Sequence, residues 1–316
     1  MTSKTMPSKP KSDTWGISYV IPVYNEERAI VSTIERVRAV LESLKRPYEI
    51  IVVDDGSGDA SAERAKSCKG VTVIRHPSNA GYGASLKTGI THARYDFIGI
   101  VDADGSYEIE KIAELATYLD DGFDMAVATR SNVFDHDGFF KKISRKIYIE
   151  AIRLLVNRQA QDPNSGLRMF TRSFALRFFP FLCNTFSFTT SLTVFGLGDA
   201  RFVKYIPSDY QAREGKSKVR HFRDTLRTIQ LIVQGVTFFN PVKIFILLAL
   251  AHVVLVALPS LALMACVPTG YAWIYFLTGT AGFGLLGIGA LGDIIRISAM
   301  RNRELHMASP FDATDE

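Results

Sequence analysis

From Trp15 onward, short apolar runs alternate with amphipathic stretches. The runs Ile17–Val23, Glu49–Val53, Val71–Arg75 and Phe97–Val101 are bounded by polar and turn-forming residues, as buried strands are. Between them, residues 26–44, 60–67 and 83–93 place apolar side chains at helical spacing. This alternation predicts an α/β fold with a mostly parallel sheet. Ahead of it, Met1 to Ser12 is polar, Lys-rich and without periodicity, so residues 1–14 read as a disordered leader.

The pattern changes in the last quarter. Ile244 to Val267 contains no charged residue, only His252, and Tyr271 to Leu291 contains none at all. Stretches of 24 and 21 residues rise roughly 36 and 31 Å as helices, which matches a hydrocarbon core of about 30 Å. Two transmembrane helices are therefore expected, about 242–267 and 271–294, within residues 241–298. Neither shows the polar face a soluble core helix presents, and both lie at the wrong end of the chain for a signal peptide. Lys243 before the first span and Arg296, Arg301 and Arg303 after the second put both termini, including a tail at 299–316, on the cytoplasmic side of an inner or plasma membrane. Tyr271, Trp273 and Tyr275 would anchor the far interface. Six glycines from Gly279 to Gly292 give the second span a smooth surface, suited to hairpin packing or to oligomer contact.

Two further stretches combine apolar and basic positions. Residues 138–158 carry Phe140, Ile143, Ile147, Leu154 and Leu155 among Lys141, Lys142, Arg145, Lys146 and Arg153, and residues 220–240 lead directly into the first span. Such helices lie in a membrane interface beside anionic head groups, or form the solvated face of an ordinary surface helix. The net charge of +5 suits an anionic partner of this kind, and no nucleic acid is expected. Cys68, Cys183 and Cys266 are scattered and show no metal-ligand spacing, which fits structural thiols in a reducing compartment. His76, His92, His136 and His221 likewise show none.

The chemistry concentrates after the strands. In open α/β sheets ligands bind outside the carboxyl ends, and here Val23 is followed by Tyr24-Asn25-Glu26, Val53 by Asp54-Asp55-Gly56-Ser57, and Val101 by Asp102-Ala103-Asp104-Gly105. Residues i and i+2 of an extended segment point the same way, so Asp102 and Asp104 can together hold a hard divalent cation, Mg²⁺ or Mn²⁺, and through it a diphosphate. Asn79-Ala-Gly-Tyr-Gly is too loose for a dinucleotide fingerprint; Gly81 and Gly83 either shape a turn or approach phosphate.

Six ordered segments resemble the inverting GT-A glycosyltransferases of family 2, in the group of dolichyl-phosphate mannose synthase and the bacterial polyprenyl-phosphate glycosyltransferases. They are Val20-Ile-Pro-Val-Tyr-Asn-Glu26, Ile51-Val-Val-Asp-Asp-Gly-Ser57, Asn79-Ala-Gly-Tyr-Gly-Ala84, Val101-Asp-Ala-Asp-Gly105, Asp162-Pro-Asn-Ser-Gly-Leu-Arg168 and Arg213-Glu-Gly-Lys-Ser-Lys218. The resemblance implies a Rossmann-like GT-A catalytic domain over residues 15–219, a nucleotide-sugar donor and a polyprenyl phosphate acceptor. It further implies that Pro22, Tyr24 and Glu26, with Asp54 or Asp55, line the nucleoside pocket, and that Asp102 and Asp104 bind metal. Arg130, Ser165 and Arg168 would receive the acceptor phosphate, with Arg213 and Lys218 facing phosphates from the far side. Many relatives carry Gln two residues after the second aspartate; Ser106 stands there, leaving Ser106 itself or water as the third ligand. Arg130 and Arg168 also admit a structural reading, in which each pairs with a nearby carboxylate, and Lys216 that of a solvated loop residue.

A phosphate monoester is already anionic near neutral pH, so the expected reaction needs a cationic cradle more than a strong base. Arginine suits that role because its planar fork binds phosphate in bidentate fashion. In-line attack would invert the anomeric centre. A processive polysaccharide synthase is disfavoured because the only tryptophans are Trp15 and Trp273, which leaves no Gln-x-x-Arg-Trp motif, and two spans line no channel. A non-catalytic scaffold partnering a flippase is disfavoured because the carboxylates and arginines are all present. Homo-oligomers, tetramers among them, occur in the family.

Overall fold

A computed structural model describes residues 15–130, 139–209 and 221–307. The chain divides into two compact units, residues 1–229 and 230–316. The first alternates β1 (Ile17–Val23), α1 (Ile30–Ser43), β2 (Tyr48–Asp54), α2 (Ser61–Ser67), β3 (Val71–Arg75), α3 (Tyr82–His92), β4 (Phe97–Ile100), α4 (Ile112–Asp120) and β5 (Met125–Arg130). It continues through α5 (Phe139–Leu155), β6 (Arg168–Thr171), α6 (Arg172–Arg177), α7 (Phe188–Gly198) and β7 (Val203–Ser208). Then follows α8 (His221–Phe239), within which the division falls.

Among the described residues, seven strands form one sheet in the order β3-β2-β1-β4-β6-β5-β7. β6 alone runs against the others, pairing antiparallel with both β4 and β5. Every residue of β1 is buried, as expected of a central strand covered on both faces. Pro22 is tolerated there because the ladder to β4 stops at Val20, so Pro22 is paired on one side only. α1 buries Ile30, Thr33, Ile34, Val37 and Leu41, a stripe at helical spacing, and ends before Lys45, whose φ of 50° is the left-handed turn common past a helix C-terminus. The mostly parallel α/β architecture read from the sequence is the one observed. The antiparallel β6 was not legible, because four residues carry too short a pattern to reveal direction.

α7 breaks the amphipathic rule. All of Phe188 to Leu197 is buried, including Thr189, Thr190, Ser191 and Thr193. Their hydroxyls serve neighbouring segments: Ser191 accepts from the Cys183 N–H (3.1 Å), and the hydroxyls of Tyr148 and Thr190 bond at 2.8 Å.

In the second unit, α9 (Pro241–His252), a π-helical turn at Val253–Ala257 and α10 (Leu258–Cys266) form one apolar helix of 26 residues. α11 (Thr269–Met307) contributes a stretch of 31 residues, Thr269–Ala299, that is apolar on average. Both are long enough to cross a bilayer. Asn240 caps the first, its side chain accepting from the Lys243 N–H (3.3 Å), with Pro241 at the first helical position. Pro259 has no N–H to offer the carbonyl of Leu255 four residues earlier, and that oxygen accepts a hydrogen bond from the Tyr275 hydroxyl of α11 at 2.6 Å. His252 Nε2 meets Thr280 Oγ1 at 3.0 Å, a second polar contact between the helices.

Tyr275→Phe is expected to lower the unfolding free energy in micelles by about 0.6 kcal/mol, the average for such bonds between spans. In a Pro259→Ala background the restored backbone N–H can serve Leu255, so Tyr275→Phe becomes neutral. A double-mutant cycle by detergent titration measures this, and equal effects in both backgrounds would refute it.

Candidate active site

The loops after β1 and β2 are tied into one surface at the carboxyl edge of the sheet. The Asn25 N–H donates to Ser57 Oγ (2.9 Å), the Gly58 N–H to Asn25 Oδ1 (2.8 Å) and the Glu26 N–H to Ser61 Oγ (2.8 Å). Tyr24 stands exposed at 36%, Glu26 is half-buried, and Pro22 lies inside β1.

Asp54 and Asp55 are turned inward. Asp54, fully buried, accepts from the Ser57 N–H and pairs with Arg75 Nε at 3.1 Å. Asp55 accepts from the N–H groups of Ala80 (2.9 Å) and Gly81 (2.8 Å), just ahead of α3, and from His76 Nδ1 (2.7 Å), whose Nε2 reaches Thr88. A carboxylate at a helix N-terminus satisfies otherwise orphaned donors and complements the helix dipole. Asp54 thus ties the Ser57 loop to Arg75 at the end of β3, while Asp55 holds the Asn79–Gly83 turn. Gly81, at φ 106°, is required there, since a Cβ would lie 2.5 Å from the Asn184 carbonyl oxygen.

Asp102 and Asp104 follow β4. The Tyr82 hydroxyl donates to Asp102 Oδ1 at 2.7 Å, while Ser106 donates to Asp104 Oδ1 from both its N–H (3.1 Å) and its hydroxyl (2.5 Å). Ser106 is fully buried and spends its N–H and hydroxyl on holding the Asp104 carboxylate from behind. Gly166 packs its Cα against Asp102; a Cβ there would meet the carboxylate atoms at 2.5 to 2.7 Å. Beside it, Tyr107 is buried and its hydroxyl accepts the Gly166 N–H at 2.7 Å. Burial first, and the Asp102 charge second, raise the pKa of Tyr82 well above the ordinary phenol value, so it remains a donor. No cage of three or more His, Cys, Asp and Glu side chains occurs among the described residues. Two carboxylates with oxygen donors only fit a hard cation that arrives with a substrate diphosphate.

The two arginines are engaged within the protein. Arg130 forms a bidentate pair with Asp162, Nε to Oδ2 and Nη2 to Oδ1 at 2.8 Å each, and its own N–H bonds the same carboxylate (3.2 Å). Arg168 is fully buried: Nε and Nη2 donate to the Ser165 carbonyl, Nη2 also to Pro163, and Nη1 to the Thr189 carbonyl and Thr193 hydroxyl. Its five N–H donors are accounted for within the protein. Ser165 is likewise buried, its hydroxyl donating to the Ala128 carbonyl at 2.5 Å. Together these residues fold the Asp162–Leu167 loop against Asp102. Arg213 and Lys218 lie outside the described residues.

Sequence reasoning passed over Tyr82, Tyr107, His76 and Asp162 as chemical groups. Only position in a motif marked Tyr82 and Asp162; nothing in the local pattern distinguishes the others.

Burial raises the pKa of Asp162, but the charge of Arg130 and their shared hydrogen bonds outweigh it and hold the carboxyl below 3.8. The pair's stabilisation is therefore complete above about that pH and is lost as pH falls through the folded value. Asp162→Asn, which leaves Arg130 nearly buried without a counter-charge, is expected to cost about 3 kcal/mol at neutral pH. In thermal scans across pH the deficit relative to the native chain shrinks below pH 4; a constant deficit would contradict the pairing.

The profile of Glycosyl transferase family 2 matches residues 18–181. The undecaprenyl-phosphate 4-deoxy-4-formamido-L-arabinose transferases of Salmonella paratyphi A and Salmonella dublin are each 30% identical over 305 residues, covering 88% of this chain and 88% of theirs. Among solved structures, glucosyl-3-phosphoglycerate synthase from Mycobacterium tuberculosis with uridine diphosphate superposes at a TM-score of 0.57, with 19% identity over 70% of this chain and 80% of that one. The same enzyme with Mn²⁺, UDP-glucose and phosphoglyceric acid gives 0.54, with 19% identity over 71% and 79%, a likeness of fold. The chain belongs to glycosyl transferase family 2.

Proposed function

We propose that this glycosyltransferase moves a monosaccharide from a UDP- or GDP-sugar onto a polyprenyl phosphate, with inversion, at the cytoplasmic face of a membrane. The observation that carries the reading is the Asp102/Asp104 pair at the edge of β4, held beside the Asp162–Arg168 loop, in a chain whose likeness to the undecaprenyl-phosphate transferases covers most of both proteins. The two apolar helices support a bilayer location, and Lys243, Arg296, Arg301 and Arg303 support cytoplasmic termini.

Asp102 and Asp104 would hold Mg²⁺ or Mn²⁺; when bound, the metal supplies charge neutralisation for the departing diphosphate. The M. tuberculosis synthase carries Mn²⁺ with UDP-glucose, which supports a divalent cation here. Tyr24 offers an exposed ring to the base and Glu26 flanks it from the same loop, while Pro22, buried at the end of β1, supports that loop from behind. With Arg130 and Arg168 engaged within the protein, Lys218 would meet the acceptor phosphate and Arg213 the donor's phosphates; both follow β7 in sequence. Arg130 and Arg168 serve the reaction by fixing the loop that walls Asp102.

Incubating the membrane protein with polyprenyl phosphate and a panel of UDP- and GDP-sugars should yield one lipid-phosphate monosaccharide by mass spectrometry. Asp102→Ala should reduce its formation at least 100-fold while the protein still inserts; undiminished product would sink the assignment. Gly166→Ala, which drives a methyl into the Asp102 carboxylate, should reduce turnover about 10-fold or more without a matching loss of expression, measured in the same assay.

A further inference from the structure

A carboxylate at the end of a strand has rotamer freedom, and a cation ligand must give that freedom up. Asp102 is only half-buried, yet its carboxylate is bounded on two sides. On one, the Gly166 backbone approaches so closely that a single added carbon would overlap it. On the other, Tyr82, the first residue of α3, donates its hydroxyl to Oδ1 at 2.7 Å. The Tyr82 ring is backed by Phe186, stacked at 5.8 Å and 16° between planes. Phe186 is itself placed by the Cys183–Phe186 segment, which the Asn184 carbonyl ties to the Ala84 N–H (3.0 Å) and which Lys87 Nζ ties to Asn184 Oδ1 (2.8 Å). The hydroxyl is therefore fixed at both ends, by its ring and by its acceptor.

We infer that Tyr82 is a positioning residue that pre-sets the Asp102 carboxylate for the divalent cation, a role resting on the metal reading of Asp102 and Asp104 above. The hydrogen bond withdraws a little charge from Oδ1 and in exchange removes the reorganisation that would otherwise accompany binding. Ser106 does the same for Asp104, so each carboxylate of the pair has its own hydroxyl partner, one reached through the fold and one local. Groups behind a metal ligand commonly alter affinity 10- to 100-fold when removed.

Tyr82→Phe deletes the hydroxyl and keeps the stacked ring. Mn²⁺ is titrated into the full-length protein in micelles with UDP, and in parallel with GDP, and free Mn²⁺ is read by electron paramagnetic resonance. Mn²⁺ affinity should fall about 10-fold, kcat should fall, and the KM for polyprenyl phosphate should stay unchanged. The metal-free unfolding midpoint should move little, and Phe186→Ala, which leaves the hydroxyl but frees the ring, should give a smaller loss of affinity. Asp102→Ala is the reference. If it abolishes Mn²⁺ binding while Tyr82→Phe binds as the native chain does, the positioning role is overturned and the metal site stands. If Asp102→Ala also binds Mn²⁺ normally, both fall.

Discussion

A cation with no exposed surface organises the site. Arg168 is held by the carbonyls of Pro163, Ser165 and Thr189 and the hydroxyl of Thr193. Burying a guanidinium is tolerable only when every donor finds an acceptor, and that requirement dictates the path of the chain around it. Three of those acceptors come from backbone that would otherwise have no reason to converge: the entry to β6 and the first turn of α7. The loop of residues 162–167 owes its shape to this demand, and the wall beside Asp102 owes its place to the loop.

Strand direction adds the second condition. In a purely parallel sheet every strand begins at the edge away from the ligand. Because β6 runs backwards between β4 and β5, its entry loop arrives at the carboxyl edge, opposite the end of β4, where Ile100 is in register with Arg168. A segment some 60 residues beyond Asp102 in sequence thereby becomes its nearest wall. Arg130, at the end of β5, then locks the same loop from the other side through Asp162.

The polar groups of the site fall into two layers. Asp54, Asp55, Arg130, Arg168, Ser106 and Ser165 face inward and support turns or other side chains. Tyr24 is exposed and Asp102 half-buried, while Asp104, held by Ser106, is itself buried. The same economy appears between the apolar helices, where the carbonyl freed by Pro259 accepts from Tyr275.

Much was legible from sequence alone, because it depends on periodicity and local chemistry. Strands Ile17–Val23 and Val71–Arg75 emerge with the expected bounds, the two apolar stretches are helices of the expected length, and Asp102-Ala103-Asp104 stands at the end of a strand as the pattern predicts. What sequence left undecided was which way a charged side chain turns. Arg130 and Arg168 have the right chemistry to grip a phosphate, and only the positions of Asp162, Ser165 and Thr189 show that their donors are already committed. Nothing in the sequence assigned a role to Tyr82, and only the fold sets its hydroxyl against Asp102. Periodicity reports which residues are buried; partners at long sequence separation are chosen by packing, and that choice exists only in the tertiary structure.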